Sequence, residues 1–133
     1  MILKDLQGNS YKLQLTGIYN QTNNSVKSSL HLKARELLQS IYSGVPILEE
    51  VPIQIRPKEM YYLDFFLPLL NLGIEIQGEQ HYNKNTMFHK SQSDFLKQQR
   101  RDAEKRLWAE INGFDLIELR FDEQDKWQEQ LLK

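Results

Sequence analysis

The chain has 133 residues, of which 40% are hydrophobic and 26% are charged, and it contains no cysteine. This length fits one domain with its own core, and a chain without cysteine excludes disulfide bonds and thiolate zinc sites. No stretch approaches the roughly 18 apolar residues of a membrane span, and no signal-peptide pattern is present, so we expect a cytoplasmic protein that does not contact membranes. The net charge of −1 is low for a nucleic-acid-binding protein, but five of the 17 Lys and Arg lie in residues 97–106.

The first part of the chain has the pattern of a β-hairpin. Residues 1–17 predict it because apolar and polar residues alternate after the turn sequence Gly8-Asn9. A polar connector, residues 20–28, follows. The sequence therefore predicts a hairpin and linker over residues 1–28, ahead of a core domain at residues 29–133.

The predicted core domain mixes helices with strands. Helical spacing of apolar residues predicts helices over residues 29–42 and 92–112, and a short helix at the C-terminus. Stretches of β character predict strands over residues 47–55, 61–67, 72–77 and 114–121. The last strand returns after a helical crossover, which favours a parallel neighbour. This order predicts an α/β domain with a mixed sheet.

Two of the predicted strands each carry one acid among apolar residues. Asp64 and Glu75 lie on consecutive strands, which a short turn brings together at one sheet edge. Close carboxylates ionise together only with a cation between them, and Mg²⁺ or Mn²⁺ binds carboxylates together with water and phosphate oxygens. Either acid alone fits an exposed position, but the pair predicts a metal site with Asp64 and Glu75 as ligands.

Polar residues follow the second acid closely. Gln77 shares a strand face with Glu75 and is predicted to hold a metal-bound water or a phosphate oxygen. His81 is predicted to act as a general acid or base, and Gln80 beside it to contact nucleic acid. His89 is a weaker candidate for nucleic-acid contact, and a packing or loop role fits it equally well.

The second helix is predicted to bury an arc of four apolar residues, and basic residues lie close to that arc. The arc consists of Phe95, Leu96, Ala103 and Leu107. Asp102 either forms an exposed i,i+4 ion pair with Arg106 or supports the catalytic site. In the second case Arg101 and Lys105 meet phosphate, with Lys97 on the same basic segment. The spacing leaves both interpretations open.

Together these motifs resemble the PD-(D/E)XK, or restriction-endonuclease-like, nuclease superfamily, and most nearly its very-short-patch-repair-like branch with the small endonucleases of phages and mobile elements. The resemblance covers about residues 46–121. It is carried by Asp64-Phe65, Glu75-Ile-Gln-Gly78-Glu-Gln80-His81, Arg101-Asp102-Ala-Glu-Lys105, and Gly113 before an apolar strand.

The resemblance implies a restriction-endonuclease-like mixed sheet flanked by helices, and Mg²⁺- or Mn²⁺-dependent hydrolysis of DNA phosphodiester bonds in a bacterial or phage-infected cell. It implies that Asp64 and Glu75 bind the metal and that His81 and Asp102 take part in catalysis. A homodimer is one route to cutting both DNA strands. Two alternatives are a nuclease for RNA or branched DNA, and a non-catalytic binding module that keeps the fold.

The chain departs from the pattern of this superfamily at three points. The usual Lys of the Glu-x-Lys element is Gln77, so Lys105 is a candidate for the missing charge. Many members direct a Glu of the first helix at the metal, but Glu36 lies opposite the buried side and Ala34 occupies the expected phase. His31 flanks the buried side, so the sequence leaves open whether Glu36 or His31 completes the site. The very-short-patch enzymes also hold a structural zinc through cysteine, which this chain lacks.

Overall fold

A computed structural model of the chain describes residues 1–13, 15, 28–78 and 92–132. The predicted site residues Gln80, His81 and His89 lie outside these ranges. In chain order the elements are strands β1 (Ile2–Lys4) and β2 (Ser10–Lys12), helix α1 (Ser29–Ile41), strands β3 (Leu48–Arg56), β4 (Glu59–Leu67) and β5 (Leu72–Gln77), helix α2 (Gln92–Asn112), strand β6 (Asp115–Arg120) and helix α3 (Trp127–Leu131). Within the described ranges, no helix has both the length and the apolar character needed to cross a membrane.

The main sheet has four strands in the order β3-β4-β5-β6. β3, β4 and β5 are antiparallel neighbours in turn, whereas β6 lies parallel to β5 after the crossover through α2. β1 and β2 form a separate antiparallel hairpin, whose turn contains Gly8 at a φ of +85°. The mixed α/β class, the N-terminal hairpin and the parallel last strand are thus confirmed.

The first turn of α1 is fixed by its cap. The Ser28 hydroxyl accepts a hydrogen bond from the backbone N–H of His31 at 3.1 Å, which satisfies one of the free donors at the helix start. This cap sets the phase at which α1 presents His31 to the sheet.

Apolar side chains cover both faces of the sheet. The first face, called here the α2 face, is covered by the hairpin and α2. The hairpin contributes Leu3 and Leu13, and α2 contributes Trp108 and Ala109. The sheet residues on this face are Leu48, Val51, Ile53, Ile55, Leu63 and Phe66. On the other, called the α1 face, α1 and α3 contribute Ala34, Leu38, Trp127 and Leu131, which pack on Ile47, Phe65, Leu67, Leu72, Ile74 and Leu119. Asp64 and Glu75 lie in the sheet between these two apolar layers.

The alternation of side chains is interrupted at one level of β3 and β4. Leu48 and Val51 are three residues apart on β3 yet share the α2 face, and Leu63 and Phe66 do the same on β4. Residues three apart on a regular strand point to opposite faces. Each strand therefore carries one additional residue between the two apolar positions, and an acid occupies that level in both strands.

Helix α2 differs from its prediction on the buried side. Leu96 and Leu107 are 55% and 45% exposed, and Ala103 is exposed as well, whereas Asp102 and Trp108 are buried. The predicted apolar arc is therefore wrong. In α2 the core contacts come from Trp108 and Ala109, whereas Lys105 and Arg106 meet the sheet carboxylates Glu75 and Glu118.

Candidate metal centre

Three carboxylates lie in a row across neighbouring strands. Glu49 pairs with Phe65 and Val51 with Leu63, so the register places Glu50 of β3 opposite Asp64 of β4. The pairing of Phe65 with Ile74 likewise places Asp64 opposite Glu75 of β5. One level of the sheet thus collects Glu50, Asp64 and Glu75.

At this level the carboxylates of β4 and β5 bond to the backbone of the neighbouring strand. The Asp64 N–H donates to Glu75 Oε2 at 2.8 Å, and the Ile76 N–H donates to Asp64 Oδ2 at 2.8 Å. Two backbone donors that would otherwise need ladder partners are satisfied in this way. The exchange also fixes the orientation of both carboxylates.

The donor set that fits a cation combines one imidazole with two carboxylates. One ligand atom each from His31, Glu50 and Asp64 lies within 4.8 Å of the other two. Metal–oxygen distances of about 2.0–2.6 Å allow donors around one ion to be separated by up to about 4–5 Å. These three residues could therefore hold a divalent cation with little rearrangement.

Glu50 has a backbone conformation that is uncommon for a residue with a side chain. Its φ is +55°, in the left-handed region that L-residues other than Gly enter at a cost. This conformation coincides with the additional residue in β3. It brings the Glu50 carboxylate to Asp64 and His31 while Leu48 and Val51 stay in the core.

A buried ionic network orients His31. Its Nε2 lies 2.7 Å from Glu49 Oε1, and Arg35 donates to the same carboxylate through Nε at 2.7 Å and Nη2 at 2.9 Å. The His31 ring also stacks on Phe65 with 4.5 Å between centroids. A proton shared between Nε2 and Glu49 leaves the lone pair of Nδ1 for a cation, as is usual for histidine ligands.

Glu49 is charged in spite of its burial. Burial raises its pKa, but the hydrogen bonds from His31 and Arg35 outweigh that effect and hold the pKa below the usual range. An ionised carboxylate behind the imidazole increases the basicity of the ring toward a metal.

Asp64 and Glu75 both hold their protons more tightly than ordinary acids. Burial raises the pKa of Asp64, against the opposing effects of the Ile76 N–H and the charge of Lys105. Burial and the neighbouring Asp64 raise the pKa of Glu75 to about 8. The ammonium group of Lys105 contacts Glu75 Oε1 and donates to the Tyr62 carbonyl at 2.7 Å. A cation near this pair reduces the repulsion between the Asp64 and Glu75 carboxylates.

Gln77 lies one position further along the α2 face and is buried. Its side-chain amide donates to Glu118, which also accepts from Arg106 Nη2 at 2.7 Å. This contact directs the Gln77 amide toward β6. The structure thus brings together Asp64, Glu75 and Lys105 from the predicted set and gives the Gln77 amide a partner on β6.

The remaining predicted residues of α2 lie on its two sides. Asp102 is buried and accepts a hydrogen bond from Gln98 at 3.1 Å. Lys97 and Arg101 are exposed, and they precede Lys105 at intervals of four residues. Side chains four apart share one side of a helix, so Lys97, Arg101 and Lys105 form a line, called here the basic ridge, that ends at Glu75.

Sequence reasoning left open whether His31 completes the site, and it missed Glu50 as a candidate ligand. For Glu50 a signal exists in "LEEV", where two acids between apolar residues break the strand alternation. For His31 the signal is its position three residues before Ala34. Ala34 has the phase expected of a metal-directed residue, and residues three apart lie on the same side of a helix.

Comparison with known proteins finds similarity to three viral proteins over roughly half of the chain. Uncharacterized protein 033L of Invertebrate iridescent virus 3 is 42% identical over 57 residues, which is 43% of this chain and 29% of the relative. Uncharacterized protein 307L of Invertebrate iridescent virus 6 is 40% identical over 63 residues, or 47% and 32%. Uncharacterized protein 094L of Frog virus 3 is 39% identical over 64 residues, or 47% and 41%.

Each match therefore covers less than half of the relative's own length. No protein-family description matches the chain, and no solved structure matches it.

Proposed function

We propose that this chain is a divalent-metal-dependent nuclease of restriction-endonuclease-like fold that hydrolyses phosphodiester bonds in DNA. The observation that carries the proposal is the grouping of His31, Glu50 and Asp64 within 4.8 Å, directly beside the Glu75–Lys105 pair. The mixed sheet, with β6 parallel to β5 after the α2 crossover, is also the arrangement that the sequence resemblance implies.

The residues fit the chemistry of the reaction. His31, Glu50 and Asp64 would hold Mg²⁺ or Mn²⁺. When bound, the metal supplies positive charge to a phosphate oxygen and acidifies a water. The Glu49 carboxylate keeps the His31 ring in a metal-binding orientation, and Phe65 limits its rotation.

Glu75 and Lys105 have separate tasks in hydrolysis. The oxygen of a water attacks phosphorus, the bond from phosphorus to the leaving oxygen breaks, and the proton of the water must be accepted. Glu75 in its ionised form accepts that proton, and a pKa near the working pH suits a general base. The Lys105 ammonium stabilises the negative charge that develops on the phosphoryl oxygens in the transition state.

The basic ridge gives the substrate a path to this site. Lys97 and Arg101 are exposed and lie in line with Lys105. Cationic side chains on one side of a helix neutralise phosphates without regard to base sequence. The ridge therefore orients a nucleic-acid backbone toward Asp64 and Glu75, and His81 stays a predicted participant from the sequence.

The proposal is tested by incubating the purified chain with supercoiled plasmid in Mg²⁺ or Mn²⁺. We expect nicked or linear product from the wild type, a loss of at least about 100-fold for Asp64→Asn and His31→Ala, and no product in EDTA. Glu36→Gln, which changes an exposed acid of α1, is the matched control and should cut normally.

A parallel panel of single-stranded DNA, branched DNA and RNA identifies the substrate class. Cleavage of RNA or branched DNA alone would replace the DNA substrate in the proposal. Full activity of Asp64→Asn, or activity in EDTA, would refute the proposed metal-dependent site. Binding of these nucleic acids without cleavage in either metal would instead define a binding module.

A further inference from the structure

Asp64 is bordered by two different environments that could each take positive charge. On the β3 side it faces His31 and Glu50, whose ligand atoms are within 4.8 Å of its own. On the β5 side the Asp64 N–H donates to Glu75 Oε2, and Asp64 Oδ2 accepts from the N–H of Ile76. In principle such an arrangement allows two cations that share Asp64 as a common ligand.

The second of these positions already contains a cation supplied by the chain. The Lys105 ammonium contacts Glu75 Oε1. Its donation to the Tyr62 carbonyl at 2.7 Å ties the ammonium to β4, the strand that carries Asp64. Only 14% of the Lys105 side chain is exposed, so the group is enclosed with the two acids.

We infer that the chain binds a single divalent cation, at His31, Glu50 and Asp64, and that Lys105 occupies the second position between Asp64 and Glu75 as a tethered monovalent cation. This inference rests on the proposed function and refines it to a one-metal site. It also revises the sequence expectation, because the metal lies between β3 and β4 instead of between Asp64 and Glu75.

Charge balance supports this assignment. The row Glu50, Asp64 and Glu75 has three carboxylates, and when all three are ionised, one divalent ion with one ammonium neutralises them. A second divalent ion at Glu75 would have to displace Lys105 from a hydrogen-bonded position and leave its ammonium beside a metal ion. Repulsion between close like charges makes that exchange unfavourable.

The test counts bound Mn²⁺ on the full chain, by isothermal titration calorimetry and by the electron paramagnetic resonance of free Mn²⁺. We expect one Mn²⁺ per chain for the wild type and two for Lys105→Met, which keeps the length of the side chain and removes its charge. Lys105→Arg keeps a cation and should stay at one. Lys12→Met, on the exposed side of β2, is the matched control and should also stay at one.

The outcomes separate this inference from the proposed function. Two Mn²⁺ on the wild type, or one on a folded Lys105→Met, would overturn the role of Lys105 and leave the metal-dependent nuclease standing. No Mn²⁺ on the wild type would remove the metal site and the proposed function together. Loss of the single Mn²⁺ in His31→Ala, with the circular dichroism spectrum unchanged, supports the assigned position.

Discussion

Glu75 is only 5% exposed, and its carboxylate lies between Asp64 and the Lys105 ammonium. Since its pKa in the folded chain is about 8, against about 4.3 for an unperturbed Glu, the folded state binds the extra proton between these two values. The unfolding free energy of the metal-free chain must then fall as the pH rises through this window. The slope is at most about 1.4 kcal/mol per pH unit.

Urea denaturation in EDTA across this pH window measures the slope directly. We expect Glu75→Gln to flatten it, because the amide does not titrate, whereas Glu36→Gln on the exposed side of α1 should retain it. An unchanged slope in Glu75→Gln would mean that another group takes up the proton.

At the same scale, sequence reasoning found only part of the candidate site. Asp64 and Glu75 were identified because an acid between apolar neighbours on a strand demands a partner. His31 was left as an open alternative and Glu50 was not identified, since the first depends on the cap that sets the phase of α1 and the second on a positive φ. The helix cap and the positive φ are features of the folded chain, and the spacing of residues in the sequence gives little information about either.

Among the elements, β3 and β4 each carry one additional residue at the Glu50–Asp64 level, apart from the register shift between Gln54 and Arg56. The register is the same on both sides of the Glu50–Asp64 level, because the two additional residues match. Hydrophobic pattern and turn chemistry were enough to predict both strands. The additional residue in each strand was not predicted. Apolar residues lie on both faces of the sheet here, so a change in which face each side chain points to leaves the strand equally apolar.

The strained residue of β3 leads to a prediction that separates stability from metal binding. Glu50→Gly should increase the unfolding free energy of the metal-free chain by about 0.5–1 kcal/mol, because Gly adopts a positive φ without strain and the change removes a carboxylate facing Asp64. Mn²⁺ at 100 times its dissociation constant should stabilise the wild type by about 2.7 kcal/mol and this variant by much less.

The matched control is Lys58→Gly, in the turn between β3 and β4, where φ is +68°. It should relieve strain similarly and keep the full stabilisation by Mn²⁺. If Glu50→Gly kept that stabilisation too, Glu50 would not be a ligand. Urea titrations with and without Mn²⁺ provide all of these values.

For the whole molecule, the distribution of charged residues matters more for nucleic-acid binding than the net charge does. The net charge is −1, so long-range attraction of the entire chain for nucleic acid is weak, and binding must depend on a local face. The basic ridge provides that face, with Lys97 and Arg101 exposed and in line with Lys105, which contacts Glu75. Each phosphate contact in such an interface releases counterions, so the number of phosphate contacts can be read from the salt dependence of the affinity.

The salt dependence of DNA binding measures the contribution of the basic ridge. Without metal, so that no cleavage occurs, the double variant Lys97→Gln/Arg101→Gln should bind duplex DNA more weakly and reduce the slope of log K against log salt by about one for each charge removed. Fluorescence anisotropy between low and moderate salt measures the slope. The control Lys33→Gln/Lys126→Gln removes the same charge from exposed lysines of α1 and the turn before α3. An equal loss in both variants would show that overall charge, and not the ridge, holds the DNA.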